Sequence, residues 1–328
     1  MKVFGIGNAL LDVLLRLESD DALTRMGMKK GAMDLIPEAQ MQAIHQAQKG
    51  LKREEAPGGS VCNTIRAMAC LGADVGYIGK TGLDKAGAFY EQAVRKAGVT
   101  PYIAHAEGIS GCSTVFISPD GERTMATFLG LAATLSASEI SDETLRACDC
   151  LYVEGYLIAN EALFLPILQR AKKQGLKVAL DLSNFNIVNG FRDLLQEAIP
   201  QYVQILFSNE SEAEAYAGLP AKEAVRKIAE QVDVSVVTLG KEGALVGSHG
   251  CVIAVPASKG KPVDTTGAGD NFAAGFLYGQ SVDATLEQSA RIGSLLAGYA
   301  IETVGAQIPD SHWPQIKLKV KEILMQKS

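Results

Sequence analysis

Short apolar runs alternate with helix-spaced apolar stripes along most of the chain. Buried-strand patterns fall at residues 2–8, 13–17 and 75–78, then at Cys150–Glu154, Lys177–Leu182, Ile205–Ser208, Val234–Leu239, Ala244–Gly247 and Cys251–Val255. Helical spacing falls between and after them, near 37–48, 61–71, 85–97, 161–174, 191–198, 210–217, 221–231, 269–280, 284–302 and 313–326. Such alternation predicts a three-layer α/β/α fold around a central, mostly parallel sheet. One region breaks the rule. Tyr102–Ala106, Gly111–Ser118 and Arg123–Phe128 read as strands with no helix between them, and Ser118–Glu122 reads as a hairpin turn. Together with the irregular stretch 13–33, they predict a small antiparallel β lid inserted in the larger domain. The expected division is 1–12, 34–101 and 129–328 for the core, with 13–33 and 102–128 for the lid.

Polar or glycine positions follow several strands: Asn8 and Asp12, Gly79–Asp84, Glu154-Gly155, Asp181, Asn209, and Thr238 with Gly240. Any one of them is an ordinary turn. Their accumulation matters because ligands of open α/β sheets bind beyond the carboxyl ends of the strands.

Composition narrows the class. With 47% hydrophobic and 21% charged residues over 328 positions, the chain belongs with folded globular proteins. A net charge of −6 and the lack of a basic run argue against a nucleic-acid partner. The six cysteines include no CxxC pair and read as free thiols of a reducing compartment, so the cytoplasm is expected. The four histidines are scattered, without zinc-ligand spacing. No long apolar run predicts a membrane span. The apolar N-terminus is interrupted by Asp12 and Arg16, which speaks against a signal peptide.

The strongest motif is Asp264-Thr265-Thr266-Gly267-Ala268-Gly269-Asp270. A strand-like approach ends near Val263, and Phe272, Ala273, Phe276 and Leu277 continue as one helical stripe. The glycines therefore open a helix, whose first N–H groups are unpaired and carry partial positive charge. Nearly bare backbone lets an anion approach closely. An anion site with the Asp270 carboxylate beside it suits phosphoryl transfer to a hydroxyl. Gly58-Gly59-Ser60-Val61-Cys62-Asn63 places two glycines and an amide at a second helix start, a pattern that can hold a polyhydroxylated ligand or simply begin a helix. Asn209-x-x-Glu212 has the spacing of a capping box. Thr238-x-Gly240-x-x-Gly243 is a tight turn after an apolar strand. Two look-alikes fail: Gly5-x-Gly7-x-x-Leu10 lacks the third glycine of a dinucleotide fingerprint, and Gly79-Lys80-Thr81 has Asp74 where a P-loop needs glycine.

Taken together, these motifs resemble the ribokinase-like (PfkB) family of sugar and nucleoside kinases. The carboxyl-side signature matches Asp264–Phe276, and the amino-side signature matches Gly58–Thr64 with Leu71-Gly72. Gly79-x-x-Gly82-x-Asp84-x-x-Gly87, Asn209-x-x-Glu212, Thr238-x-Gly240-x-x-Gly243 and Gly305-Ala306 follow in the family's order. The resemblance implies a ribokinase-like fold and ATP- and Mg²⁺-dependent phosphorylation of a hydroxyl. It implies that Asp270 accepts the hydroxyl proton, held ionised by a depressed pKa at the helix start, while Gly267, Ala268 and Gly269 hold the moving phosphoryl. It implies acceptor contacts at Asn8, Asp12, Gly58, Gly59 and Asn63, and ATP contacts at Asn209, Glu212, Thr238, Gly240 and Gly243. Glu212 would serve Mg²⁺ through water. A monovalent cation, K⁺, would sit among Asp264, Thr266, Ala300, Thr303 and Gly305. Gly7–Asp12 and Thr127–Leu135 are similar to the adenosine kinase branch and favour a nucleoside, with ribose, fructose or a sugar phosphate as alternatives. A sugar phosphate would want Lys80 or Arg123 in the pocket. A non-catalytic nucleoside or sugar sensor on the same scaffold is the reading from another class. The lid is expected to close over the acceptor, and its exposed edge offers a homodimer contact to a second copy.

Overall fold

Runs of apolar residues buried on both faces build the centre of the molecule. The computed structural model describes residues 1–47 and 53–326. Its strands are β1 (Val3–Ile6), β2 (Leu10–Arg16), β3 (Met33–Leu35), β4 (Arg53–Gly58), β5 (Val75–Gly82), β6 (Thr100–Ala106), β7 (Gly111–Ile117), β8 (Arg123–Phe128), β9 (Cys150–Glu154), β10 (Lys177–Asp181), β11 (Ile205–Asn209), β12 (Val234–Thr238), β13 (Ala244–Ser248) and β14 (Cys251–Val255). Nine of them form one sheet in the order β14-β13-β12-β11-β10-β9-β1-β5-β6. Pairing is parallel from β12 to β6 and antiparallel only at β12·β13 and β13·β14.

β1 is buried throughout because it lies mid-sheet, paired with β5 on one side and β9 on the other. The chain builds outward from β1 in one direction, then returns to β9 and builds in the other. The gap beyond the carboxyl ends of β1 and β9 is therefore a topological switch point, where crossovers diverge and leave a crevice. Helices cover both faces. One core gathers around helices Ser60–Leu71, Ala268–Ser281 and Leu286–Ala300. The other gathers around Phe164–Lys173, Arg192–Tyr202 and Ala221–Ile228. The predicted helix over 37–48 is observed as Glu38–Ala47, and Gln48 lies outside the described residues. No helix among the described residues is long and apolar enough to cross a membrane.

The remaining strands form a smaller sheet, β3-β8-β7-β2-β4. The β7–β8 hairpin and the β2·β4 pair are antiparallel, while β2·β7 and β3·β8 are parallel. Its composition differs from the expected division in two ways. Residues 102–106 belong to β6 of the large sheet, parallel to β5. Helix Lys85–Lys96 supplies the crossover between β5 and β6, and the Tyr102 ring packs 4.9 Å from that of Phe4, which fastens β6 to the core. Conversely, β3 and β4 and the start of β2 lie in the small sheet. The Arg53-Glu54-Glu55 run in β4 is exposed on an edge and carries no apolar alternation, so it reads as loop. Gly79–Gly82 likewise continues β5, registered against Ile103–Ala106, rather than forming a turn. Along β2, Leu11, Val13 and Leu15 are buried in the small sheet's own core. The two-residue period then turns Leu10 and Asp12 toward the opposite face, which looks into the crevice.

Candidate active site

A cleft of about 1270 Å³ lies between the carboxyl edge of the large sheet and the small sheet. Helix Ala268–Ser281 points its N-terminus into it. Gly267 caps that helix with φ of 73°, a left-handed conformation that glycine adopts without strain. A Cβ there would lie 2.6 Å from the Cα of Ala306. The Asn271 amide donates to the Gly267 and Ala306 carbonyls, both at 2.8 Å, and so ties the helix start to the 305–306 turn. The intrahelical ladder begins with the Asn271 N–H donating to the Gly267 carbonyl; ahead of it the Ala268 N–H donates to the Thr265 carbonyl at 3.2 Å. Gly269 lines the cleft with open space where a side chain would be.

The Asp270 carboxylate meets the start of helix Ser60–Leu71. Ser60 Oγ donates to Oδ1 at 2.8 Å, and Asn63 Nδ2 donates to Oδ2 at 2.9 Å. The Thr64 hydroxyl donates to the Asp270 carbonyl, 3.0 Å away. The two motifs, 207 residues apart, thus share one carboxylate. The sequence-based expectation of a depressed pKa is corrected here. Burial pushes Asp270 up to about 7, and the Asp181 charge adds to it, against the Asn63 and Ser60 donors.

On the other side of Asp270 lie Asn8, Asp12, Gly59 and Asn63. Gly59 has φ of 94°, and a Cβ would collide with the Asn8 carbonyl. A Cβ on Gly58 would strike the Asp12 carboxylate, so both glycines hold the backbone close to β1 and β2. Asp12 is raised to about 7, first by burial, with Arg123 lowering it and Asp270 raising it. One residue absent from the expected acceptor set stands out. Glu154 at the end of β9 is 2% exposed, accepts Asn8 Nδ2 at 2.9 Å, and keeps Oε2 buried without a partner. Its place after a buried strand was legible, but only tertiary contact pairs it with Asn8. Ser60 was in the motif and gains its role only from its bond to Asp270.

Farther along the sheet, Asn209, Glu212 and Thr238 line the same cleft, whereas Gly240 and Gly243 do not. Gly243 lies in the β12–β13 turn, where a Cβ would meet the Val255 carbonyl, so its account is packing. The Asn209–Glu212 capping box is present. Asn209 N–H and Nδ2 donate to the Glu212 carboxylate at 2.9 and 2.7 Å, and Glu212 N–H donates back at 2.9 Å. Burial first, and then the Asp181 charge, raise Glu212 to about 8 against the Asn209 N–H donor. Asp181 is itself raised by burial, while Ser183 N–H and the Tyr152 hydroxyl donate to it at 2.7 and 3.1 Å. Asp181 and Glu212 are thus two mutually repelling carboxylates beside the cleft whose oxygens already take protein donors, which leaves them suited to the water shell of a divalent cation rather than to direct ligation. The described residues hold no group of three or more metal-ligating side chains.

In the expected monovalent-cation set, Asp264 is bonded within the protein. Arg123 Nη2 lies 2.8 Å from Asp264 Oδ2, with the two side chains 8% and 10% exposed. Gly305 N–H donates to the same oxygen at 2.8 Å, and Thr266 N–H to Oδ1 at 2.9 Å. The Thr303 hydroxyl donates to the Ala300 carbonyl at 3.2 Å. Burial pushes Asp264 up, yet the Gly305 and Thr266 donors and Arg123 together hold it below the usual carboxylate range. Of the oxygens expected to hold K⁺, the Asp264 carboxylate and the Ala300 carbonyl are already engaged. Lys80, the other basic candidate, is bound to Glu139 at 2.8 Å and to the Thr134 carbonyl at 3.3 Å, outside the cleft lining.

The model of the pfkB family carbohydrate kinase matches residues 31–313. An uncharacterised sugar kinase from Archaeoglobus fulgidus is 30% identical over 242 residues, covering 73% of this chain and 96% of its own. The crystal structure of adenosine kinase from Sinorhizobium meliloti superposes with a TM-score of 0.86 at 30% identity, covering 98% of each chain. Adenosine kinase from Schistosoma mansoni in complex with 2-fluoroadenosine gives a TM-score of 0.81 at 26% identity, covering 94% of this chain and 97% of its own.

Proposed function

Since the chain belongs to the pfkB family of carbohydrate kinases and is an ATP-dependent nucleoside or sugar kinase, we propose that its acceptor is a neutral nucleoside of the adenosine kind. The carrying observation is the charge of the cleft. None of the described residues lining it is Lys or Arg, while Asp12, Glu154, Asp181, Glu212 and Asp270 all do. Arg123 and Arg66 act on Asp12 from behind the lining, and Arg123 is paired with Asp264, so a phosphorylated sugar would meet carboxylates rather than a free cation. Leu10, Met33, Met125 and Leu129 add an apolar wall from and beside the small sheet, suited to a base. The volume of 1270 Å³ exceeds the roughly 300–1,000 Å³ of a one-ligand pocket, in keeping with a nucleoside and a nucleotide side by side. The adenosine kinases among the structural relatives point the same way.

In this reading Asn8, Asp12, Asn63 and the Gly58-Gly59 backbone hold the sugar hydroxyls, with Glu154 fixing Asn8. Asp270 accepts the proton of the attacking hydroxyl. The N–H groups at Gly267 and Gly269, joined by that of Ala268 once it leaves the Thr265 carbonyl, receive the charge developing on the phosphoryl oxygens. Asn209, Glu212 and Thr238 border the nucleotide. Glu212 and Asp181 would hold the hydrated shell of Mg²⁺, which neutralises phosphate charge when bound. Because the lining offers no basic side chain, the backbone anion site carries more of that task than it otherwise would.

A coupled ADP-release assay over adenosine, inosine, guanosine, cytidine, ribose, fructose and fructose 6-phosphate tests the acceptor. Adenosine should show the highest kcat/KM and fructose 6-phosphate the lowest. Faster turnover of a free or phosphorylated sugar than of any nucleoside would overturn the proposal. Tight nucleoside binding with no ADP would instead support the sensor. The pH profile is a second check. A base must be ionised, so kcat/KM should rise with pH through about 7, the value to which burial lifts Asp270. Asp12 and Glu154 are raised to about 7 as well, so the apparent value belongs to the carboxylate group as a whole. A flat profile from acid to alkaline pH would contradict a base held in this environment.

A further inference from the structure

The inner face of the small sheet is not apolar throughout. Among Leu10, Met33, Met125 and Leu129 it carries two hydroxyl side chains that line the cleft, Ser113 on β7 and Thr127 on β8. Strand alternation separates the two faces. Leu11, Cys112 and Ala126 belong to the small sheet's own core, so their neighbours Asp12, Ser113 and Thr127 face the cleft. The register sets these three in one row. Asp12 lies opposite Ser113, Ser113 opposite Thr127, and Thr127 opposite Leu35. At about 5 Å per strand, Ser113 is one step from Asp12 and Thr127 is two. A base carried by a sugar held at Asp12, and lying across the sheet, would bring its far edge to the two hydroxyls. Ser113 Oγ and Thr127 Oγ1 lie 2.9 Å apart, and each residue is 5% exposed. Neither hydroxyl makes another hydrogen bond among the described residues. Their mutual bond consumes one O–H of the two. The accepting hydroxyl therefore has a proton to give, and beside it the donating hydroxyl has an oxygen that can accept. Either atom can be the donor, so the order of the two can reverse.

We propose that the Ser113–Thr127 hydroxyl pair is a specificity-determining subsite that reads the polar edge of a purine nucleoside and takes 6-amino and 6-oxo purines alike. A 6-amino edge sets an N–H donor beside a bare ring nitrogen, and a 6-oxo edge sets a carbonyl beside a ring N–H. Each is a donor next to an acceptor, in opposite order, and the pair meets either one by reversing its own bond. A purine with no group at position 6 answers only half of it. The inference rests on the nucleoside reading above and adds to it which part of the base is recognised. For packing alone, alanine and valine would fill the same space in this wall. The two hydroxyls satisfy each other when the cleft is empty, which keeps the cost of their burial small until a ligand arrives.

Steady-state ADP release with adenosine, inosine and purine riboside tests this in the wild-type chain and in the double variant Ser113→Ala/Thr127→Val. In wild type, kcat/KM for inosine should lie within about tenfold of adenosine, and purine riboside should fall about tenfold or more below both, because a site built to bond a polar group discriminates against its absence. Purine riboside as good as adenosine would overturn the subsite. Inosine more than about tenfold below adenosine would overturn the reversible pair. The double variant removes both partners of one bond and leaves no polar group unpaired, so it should melt within about 2 °C of wild type. In it adenosine and inosine should each lose about tenfold or more in kcat/KM, chiefly through KM, while purine riboside loses least, so that the three acceptors converge. Equal losses with all three would make the pair a structural element of the sheet and overturn its reading role. The wild-type series deletes the group from the ligand and needs no variant, so it decides even if the double variant melts far below wild type. Should a free or phosphorylated sugar outrun every nucleoside, the nucleoside reading fails and the subsite with it. Should nucleosides be the best acceptors with purine riboside equal to adenosine, the subsite alone fails.

Discussion

Asp270→Asn is expected to lower kcat by about 10²- to 10⁴-fold, the range for removal of a general base, with little change in KM for either substrate. The variant should fold without repair. Ser60 can still donate to the amide oxygen. The Asn63 Oδ1 atom is buried without a partner, and turning that amide over would present it to the new NH₂ group. Stability should move the other way from activity. The folded pKa of about 7 lies above the ordinary 3.8, so the protonated carboxyl supports the fold at low pH. That contribution is lost as pH rises through about 7, where the ionised group is held against burial and the Asp181 charge. Asparagine carries no such cost. At about 1.4 kcal/mol per pKa unit, and discounting for partial exposure, the variant should be more stable by on the order of 1–2 kcal/mol at pH 8 and near parity at pH 4. Steady-state ADP release and calorimetry at both pH values check the pair of effects. Near-normal turnover would remove Asp270 from the role of base. Lower stability at pH 8 would show that the carboxylate is better compensated than its surroundings indicate.

Gly267→Ala should be the second most damaging change, lowering kcat by about 10²- to 10³-fold, as when an oxyanion donor is misdirected. An alanine at φ of 73° takes on a left-handed conformation costing roughly 1–2 kcal/mol. Its Cβ would also lie 2.6 Å from the Cα of Ala306, a backbone contact that cannot rotate away. Relief requires the 305–306 turn to retreat, which pulls on both carbonyls held by Asn271 and on the Gly305 N–H held by Asp264. Gly269→Ala is the informative comparison. The added methyl meets nothing within 4 Å, so its melting temperature should stay at the wild-type value while the methyl fills space an anion needs. Kinetics and melting curves for the two variants separate seating of the helix start from access to it. Gly267→Ala with kcat within about twofold of wild type would mean that the close seat on Ala306 does not aim the donors.

The hairpin and the parallel core were legible because their signals are local. Val234–Thr238 and Cys150–Glu154 are short apolar runs bounded by turns, and glycines that open helices announce themselves by spacing. β4 escaped because Arg53-Glu54-Glu55 forms an edge with nothing to bury. β6 was assigned to the wrong sheet because periodicity says that a segment is extended, not which strand it pairs with. The site shows the same division. Asp270, Gly269, Asn63 and Glu212 sit in motifs whose spacing carries meaning, and the structure gathers them around one cleft. Gly240 and Gly243 share such a motif yet line no part of it, because a glycine that allows close packing and one that admits a ligand look alike in sequence.

By itself, then, the sequence determined the α/β class, the anion-binding helix start and the carboxylate beside it, since each depends on neighbours within a turn or two of chain. Only the tertiary structure decided the upward shift of that carboxylate's pKa, the partnership of Asn8 with Glu154, and the capture of Asp264 by Arg123 across 141 positions of sequence. These are through-space effects. Burial, Coulomb interaction and hydrogen-bond reach depend on distance in the fold, and distance along the chain does not contain it.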